Sequence, residues 1–347
     1  MMRYNIDVSF FKSCFQNLVE IPSPVGYYVQ MNPVIESLAA QFGLMVTHDN
    51  RSTSYITLDG EDNSKTIMIG AHLDTLGMMV RKIDTDGKLR VRTVGGVNFH
   101  SVEGETVTVH TRDGHTYTGL MACQSHSVHV FDDARSMERD EAHMMIILDE
   151  NVNSKEDVKA LGIRNGDFVS IDPRCQFTPN GYIKSRFIDD KAAVACCFTA
   201  MKYLTEQKIK PKYRTIFAFP YNEEIGFGGT YIPDEVSEYV AVDIGLIGPE
   251  LDGNEFAVSI CAKDKSSPYD YDLTTRLIQT AERVGCNYAV DLFYRYGSDG
   301  TAALRAGNNL RAATFGMAVY CSHGMERTHM DGIINTIDLL MAYILGD

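Results

Sequence analysis

The segment Thr66–Asp74 reads T-I-M-I-G-A-H-L-D and decides the class of fold. Its first part is a continuous apolar run, which is typical of a strand buried on both faces of a parallel sheet. His72 and Asp74 follow at once, and in an extended chain these two side chains point to the same face. The segment therefore predicts a central strand of an α/β sheet whose end carries polar groups.

Two later segments repeat this arrangement of an apolar strand followed by acidic residues. The run Tyr213–Phe219 is followed by Glu223 and Glu224, and the run Tyr239–Val242 is followed by Asp243. Ligand sites of open α/β sheets form where the strands end. We therefore expect these carboxylates to lie near His72 and Asp74.

Further acidic residues and histidines extend the candidate site. Asp189 and Asp190 precede an apolar helix, and a helix cap explains Asp190 but not both aspartates. His323 follows a strand-like segment, and His329, six residues later, is a competing candidate. Each group alone has an ordinary structural explanation, such as a hydrogen-bonded histidine at a strand end. The ordered set is more specific, because imidazoles with carboxylates are the ligands of zinc and similar ions.

The middle of the chain has a different pattern. Alternating apolar and polar segments flank Asp-Gly turns at residues 85–87 and 112–114, and this combination predicts β-hairpins. We expect a β-rich domain over residues 77–177, inserted into an α/β domain formed by residues 1–76 and 178–347. The predicted fold is a mixed-sheet α/β/α domain with an inserted small β-barrel-like domain.

Composition excludes several classes of function. The 347 residues carry a formal net charge of −14, which argues against a nucleic-acid partner and against attachment to anionic lipid. No apolar run approaches the length of a membrane span, and no signal peptide is visible. The eight cysteines include no C-x-x-C pair, and two of them are adjacent. We therefore expect free thiols in a cytoplasmic protein.

On these motifs the chain resembles the tetrahedral (TET) metallo-aminopeptidases, a family that includes glutamyl aminopeptidase and FrvX-like proteins. The resemblance spans nearly the whole chain and implies a co-catalytic two-metal peptidase with a β insertion that serves oligomerisation. The motifs that carry it are G-A-H-L-D-T-L-G from Gly70, V-T-V-H-T-R-D-G from Val107, N-E-E-I-G from Asn222, A-V-D-I-G from Ala241, G-S-D-G-T-A from Gly297 and S-H-G-M-E-R-T-H from Ser322.

The resemblance implies a role for each candidate ligand. His72 and Asp243 would hold one metal ion, Glu224 and His323 would hold the other, and Asp189 would bridge the two. Two such ions together activate a water molecule and polarise a carbonyl group. The implied cofactors are two divalent ions per subunit, with zinc or cobalt as the expected metals.

The remaining implied roles concern proton transfer and assembly. Glu223 would be the general base, and Asp74 would be the partner of His72 that fixes its tautomer. The expected substrates are short peptides that lose their N-terminal residues. The family also implies self-assembly of dimers into a dodecamer.

Some positions depart from the family's pattern, and two other functions remain open. Ala193 stands where a glycine is usual, Thr75 where a glutamate is common, and Gly324 replaces the serine after the last ligand. A related two-metal amidohydrolase or deacylase, or an accessory protein with a relic site, would share the ligand set. Arg295 either offers a cation to an acidic substrate side chain or is an ordinary surface arginine.

Overall fold

The computed structural model describes residues 3–347, which divide into two compact units by their internal contacts. The first unit combines the residues up to Asp74 with Arg174–Asp347, and the second is Thr75–Pro173. Among the described residues no helix is long and apolar enough to cross a bilayer.

Seven α-helices are present within residues 3–347. Six lie in the first unit, and α3 lies in the second. They are α1 (Val8–Glu20), α2 (Met31–Ala40), α3 (Lys155–Ala160), α4 (Ile188–Gln207), α5 (Tyr271–Val284), α6 (Asp299–Arg305) and α7 (Met330–Leu345).

Eighteen strands make up the sheets of the described chain. Those of the first unit are β1 (Val46–His48), β2 (Ser54–Leu58), β3 (Asp62–Gly70), β10 (Gln176–Phe177), β11 (Tyr182–Ser185), β12 (Tyr213–Phe219), β13 (Val236–Val242), β14 (Gly245–Leu246), β15 (Val258–Lys263), β16 (Tyr288–Leu292), β17 (Arg311–Val319) and β18 (Glu326–His329). Those of the second unit are β4 (Gly77–Ile83), β5 (Leu89–Val94), β6 (Thr106–His110), β7 (Thr116–Cys123), β8 (Met144–Leu148) and β9 (Phe168–Ile171).

A nine-stranded mixed sheet forms the centre of the first unit. Its order is β1-β2-β12-β3-β13-β17-β15-β16, and β14 pairs with β17. The four neighbouring strands β12, β3, β13 and β17 run parallel, whereas β2 and β15 pair antiparallel with β12 and β17. The apolar segments of the sequence are these parallel strands, because only strands covered on both faces need apolar side chains on both.

Helices cover both faces of this sheet. On β12, Ile216 and Ala218 pack in one cluster with Ala303 of α6. The ring of Phe219, which points to the opposite face, stacks on Phe198 of α4 with centroids 5.4 Å apart. Since successive side chains of a strand alternate between faces, α4 and α6 lie on opposite sides. The predicted α/β/α arrangement is confirmed.

The second unit contains a closed six-stranded antiparallel barrel in the order β4-β5-β8-β7-β6-β9. Both predicted hairpins are present, β4 with β5 and β6 with β7. Their turns place Gly87 at φ +81° and Gly114 at φ +91°, a region that favours glycine. The predicted β-barrel-like domain is confirmed.

A small sheet of β10, β11 and β18 completes the first unit, and the sequence pattern does not predict it. Its strands β11 and β18 pair residues more than 140 positions apart, such as Ser185 with Glu326. Strand β11 leads into α4, so this pairing brings the residues after His323 towards the start of that helix.

Candidate active site

The polar residues predicted to form a site lie at the carboxyl ends of neighbouring parallel strands. His72 and Asp74 follow β3, Glu223 and Glu224 follow β12, and Asp243 follows β13. Parallel neighbours end at the same edge of a sheet, so these side chains converge there. All of the predicted site residues belong to the first unit.

The carboxylate of Asp189 lies between the two predicted histidine ligands. Its Oδ1 is 3.0 Å from Nε2 of His72, and its Oδ2 is 3.6 Å from Nε2 of His323. Oε2 of Glu224 is 3.4 Å from the same nitrogen of His323. The two oxygens of the Asp189 carboxylate thus face different histidines, and Glu224 lies beside the second one.

Asp74 binds both the predicted histidine ligand and the glutamate pair. Nδ1 of His72 lies 2.9 Å from the backbone oxygen of Asp74 and 3.5 Å from its Oδ1. The two carboxylate oxygens of Asp74 accept hydrogen bonds from the backbone N–H groups of Glu223 and Glu224, each at 3.1 Å. Asp74 therefore fixes the start of the segment that carries both glutamates, in addition to facing His72.

Asp190 also belongs to the site, and its side chain does not form a helix cap. Its backbone angles and those of Asp189 are non-helical within α4, and Oδ2 of Asp190 accepts a hydrogen bond from the backbone N–H of His72 at 3.1 Å. Ligand atoms of His72, Asp190 and Asp243 lie within 4.8 Å of one another, as do those of His72, Asp189 and Glu224. Two overlapping groups of metal-ligand type are therefore present.

Burial disfavours the charged form of these carboxyl groups. Burial, together with the nearby Asp189, raises the pKa of Asp243 to about 8. Burial also raises the pKa values of Glu223 and Glu224 well above their usual range, and the adjacent carboxylates Asp243 and Asp189 contribute. Clustered buried carboxylates are stabilised in their charged form by a cation.

The residues present fit divalent cations. Oδ1 of Asp190 is buried and has no hydrogen-bond partner within residues 3–347. The donor atoms are imidazole nitrogens and carboxylate oxygens, the set preferred by zinc and similar ions. The site therefore has both the ligand chemistry and the negative charge that a divalent metal requires.

His329 is not part of this cluster. It caps α7 with Nδ1, which accepts a hydrogen bond from the N–H of Asp331, while Nε2 lies 2.8 Å from the backbone oxygen of Asn180. Both ring nitrogens are therefore used in the local structure. Of the two competing histidines, the structure brings only His323 to Asp189.

Two buried acidic residues, Glu326 and Asp299, also contact the site, and neither was predicted from the sequence. Glu326 accepts hydrogen bonds from backbone N–H groups of Asp189 and His323, and Asp299 accepts one from Gly229, in the segment after Glu224. Asp299 stands in the motif G-S-D-G-T-A, which could have drawn attention to it. Glu326 likewise stands in a quoted motif, S-H-G-M-E-R-T-H from Ser322.

A cavity of about 910 Å³ opens beside the cluster. Its lining includes the candidate site residues Asp189, Glu223, Glu224, Asp243 and His323. It also includes three cationic side chains, Lys265, Arg295 and Arg305. Among the described residues these three cations form no ion pair with a carboxylate.

Known proteins are similar to this chain in sequence and in fold. The family model described as M42 glutamyl aminopeptidase matches residues 53–339. The chain belongs to this family. The resemblance found in the sequence is confirmed, and this M42 chain is a peptidase and therefore a hydrolase. M42 peptidases are metallopeptidases, in agreement with the histidine and carboxylate groups found here.

Individual relatives agree with the family assignment. Aminopeptidase YhfE of Bacillus subtilis (strain 168) is 41% identical over 330 residues, which are 95% of either chain. The TET aminopeptidase of Thaumarchaeota archaeon SCGC AB-539-E09 superimposes with a TM-score of 0.87 at 17% identity, over 97% of this chain and 96% of that one. PhTET1-12s, solved with a dodecamer in the asymmetric unit, superimposes with a TM-score of 0.84 at 22% identity, over 96% of this chain and 98% of that one. The last two similarities concern the fold.

Proposed function

We propose that this M42 peptidase is a metal-dependent aminopeptidase that removes N-terminal residues from short peptides. The observation that carries the proposal is the position of Asp189 between His72 and His323, with Glu223 at the wall of the adjoining cavity. A carboxylate whose two oxygens face different histidines suits a pair of cations.

The proposed ligands divide into two groups around Asp189. His72 and Asp243 would hold one divalent ion, and Glu224 and His323 would hold the other, with zinc or cobalt as the proposed metals. Bound divalent ions supply Lewis-acid polarisation of the scissile carbonyl and lower the pKa of water. Asp190, adjacent to His72 and Asp243, would add a further carboxylate to the first group.

Glu223 would carry out the proton transfers. Its Oε2 is 3.7 Å from Nε2 of His72, and Asp74 holds its backbone in place. As a general base it would take a proton from the attacking water and deliver it to the leaving amine. Burial raises the pKa of Glu223 well above its usual range, which favours proton uptake at this carboxyl.

Replacing the base separates catalysis from metal binding. We expect Glu223→Gln to lower kcat by about 10²–10⁴-fold, because that is the usual contribution of a general base. Its metal content, measured by plasma mass spectrometry, should equal that of the wild type, whereas Glu224→Gln should lose metal. The exposed Glu235→Gln is the matched control. Normal turnover by Glu223→Gln would reject this mechanism.

We propose that the pocket prefers acidic N-terminal residues. The proposal rests on the cavity, which is lined by Lys265, Arg295 and Arg305. Cations without carboxylate partners attract an anionic side chain and repel a lysine. In this proposal Arg295 binds the acidic side chain of the substrate.

A panel of amino-acid anilides tests this preference. Glutamyl anilide should be hydrolysed faster than leucyl anilide, and lysyl anilide most slowly. Arg305→Ala and Arg295→Ala should lower the Glu/Leu ratio of kcat/KM by about 10-fold, equivalent to about 1.4 kcal/mol. An unchanged Glu/Leu ratio would show that these arginines do not contribute to substrate preference. Turnover of N-acetylated anilides would favour the amidohydrolase alternative, because an aminopeptidase requires the free α-amine.

We also propose that the protein assembles into a dodecamer and resides in the cytoplasm. Support for assembly comes from the dodecameric PhTET1-12s, and support for a reducing compartment from the eight free cysteines. The inserted domain is the proposed oligomerisation domain. Multi-angle light scattering should give a mass near twelve times 38.7 kDa, and a purely monomeric sample would reject assembly.

A further inference from the structure

We infer that Glu326 is a positioning residue that fixes the backbone of two proposed metal ligands, Asp189 and His323, relative to each other. The inference rests on the proposed function, since it concerns the ion that His323 would bind. Glu326 is not one of the proposed ligands, and its strand β18 belongs to the small sheet rather than to the central one.

The contacts of Glu326 join two distant parts of the chain. Its Oε2 accepts a hydrogen bond from the backbone N–H of Asp189 at 3.0 Å, and its Oε1 accepts one from the N–H of His323 at 3.2 Å. The residue is only 2% exposed, so water does not compete for either bond. A single carboxylate therefore sets the separation between the backbones of Asp189 and His323.

The loop that carries His323 needs such support. His323 has φ +63° and Cys321 has φ +58°, in the left-handed region that residues other than glycine rarely adopt. The side chain of His323 is also 39% exposed, so less packing holds it than holds the buried His72. A hydrogen bond to the N–H of His323 stabilises this loop conformation, in which Nε2 faces Asp189 and Glu224.

A carboxylate suits this role better than an amide of the same size. Both oxygens of Glu326 accept from backbone donors. A glutamine has one acceptor oxygen, and its NH₂ group would face the second N–H donor. Glu326→Gln therefore loses one of the two contacts and loosens His323 or Asp189 while leaving every proposed ligand in the chain. Loss of an outer partner of metal ligands lowers metal affinity by about 10–100-fold.

The experiment measures metal binding directly. The full chain is stripped with a chelator, dialysed and titrated with Zn²⁺ by calorimetry, and Co²⁺ binding is followed by visible absorption. Glu238→Gln is the matched control, because Glu238 is buried like Glu326. Its partners are Lys65 and Arg276, and none of the proposed ligands. Both variants should lower Tm.

The expected result distinguishes positioning from general stabilisation. Glu326→Gln should weaken at least one of two Zn²⁺ sites by about 10–100-fold, alter the Co²⁺ spectrum and recover activity at excess metal. Glu238→Gln should bind both ions like the wild type. If Glu326→Gln does not fold, Glu326→Asp, which keeps the charge but loses reach, provides the measurement. Wild-type affinity at both sites would overturn the inference alone, whereas a wild type that binds no divalent ion would overturn the proposed function as well.

Discussion

At the scale of single residues, Asp74 shows how one carboxylate serves several groups. The backbone oxygen of Asp74 faces Nδ1 of His72, and its two carboxylate oxygens hold the N–H groups of Glu223 and Glu224. The side chain is completely buried. Because both oxygens accept from the backbone, the position of the proposed base depends on Asp74 as well as on β12.

This arrangement predicts the effect of Asp74→Asn. The amide would present an NH₂ group to one of the two backbone donors, leaving a buried N–H unpaired at a cost of about 1–3 kcal/mol. We expect kcat to fall by about 10–100-fold with most of the bound metal retained. Kinetics, metal analysis and chemical unfolding measure the three quantities. Asp59→Asn, on an exposed residue, is the control, and unaltered kcat in Asp74→Asn would contradict the assignment.

The sequence predicted the members of the cluster better than their contacts. The position of His72, Asp74 and Asp243 after apolar strands was sufficient to place them at one edge of a sheet. The partner of each oxygen depends on side-chain directions and on loops, which the sequence pattern does not specify. Glu326 was missed for this reason, since its two partners lie 137 and 3 residues away.

At the scale of elements, the glycine-rich segment after Glu224 packs against the start of α6. A Cβ on Gly229 would lie 2.2 Å from the backbone oxygen of Asp299, and one on Gly228 would lie 2.5 Å from its carboxylate oxygens. Oδ1 of Asp299 accepts a hydrogen bond from the N–H of Gly229 at 2.6 Å. The segment is therefore held at one end by Asp74 and at the other by Asp299.

This close approach predicts that Gly229→Ala is harmful. A methyl group there meets backbone, which cannot move aside as a flexible side chain does, so we expect a loss of about 1–3 kcal/mol of unfolding free energy and a lower kcat. Gly248→Ala is the control, since its nearest atom would be Cδ1 of Leu251 at 3.9 Å. Urea unfolding and steady-state kinetics provide the comparison, and equal behaviour of the two variants would show that the packing is unimportant.

At the scale of the whole molecule, the buried carboxylates predict that metal stabilises the folded chain. Ions that bind only the folded state add about 2.7 kcal/mol at a concentration of 100 Kd for a single site. Dialysis against a chelator should therefore lower Tm, and Zn²⁺ or Co²⁺ should restore it. At acidic pH the added metal should raise Tm by less, because protonated carboxyls and imidazoles do not bind metal. Differential scanning fluorimetry tests this, and identical Tm values with and without chelator would contradict it.

The sequence by itself determined the central strands, the two hairpins of the barrel and the set of polar residues at the strand ends. These features depend on periodicity and on turn chemistry between near neighbours, which a single sequence displays. The tertiary structure alone decided which carboxylate oxygen contacts which donor, that Glu326 joins the backbones of Asp189 and His323, and that Lys265 and Arg305 lie with Arg295 in one cavity. These relations join residues far apart in the chain, and only the packing of strands and loops brings them together.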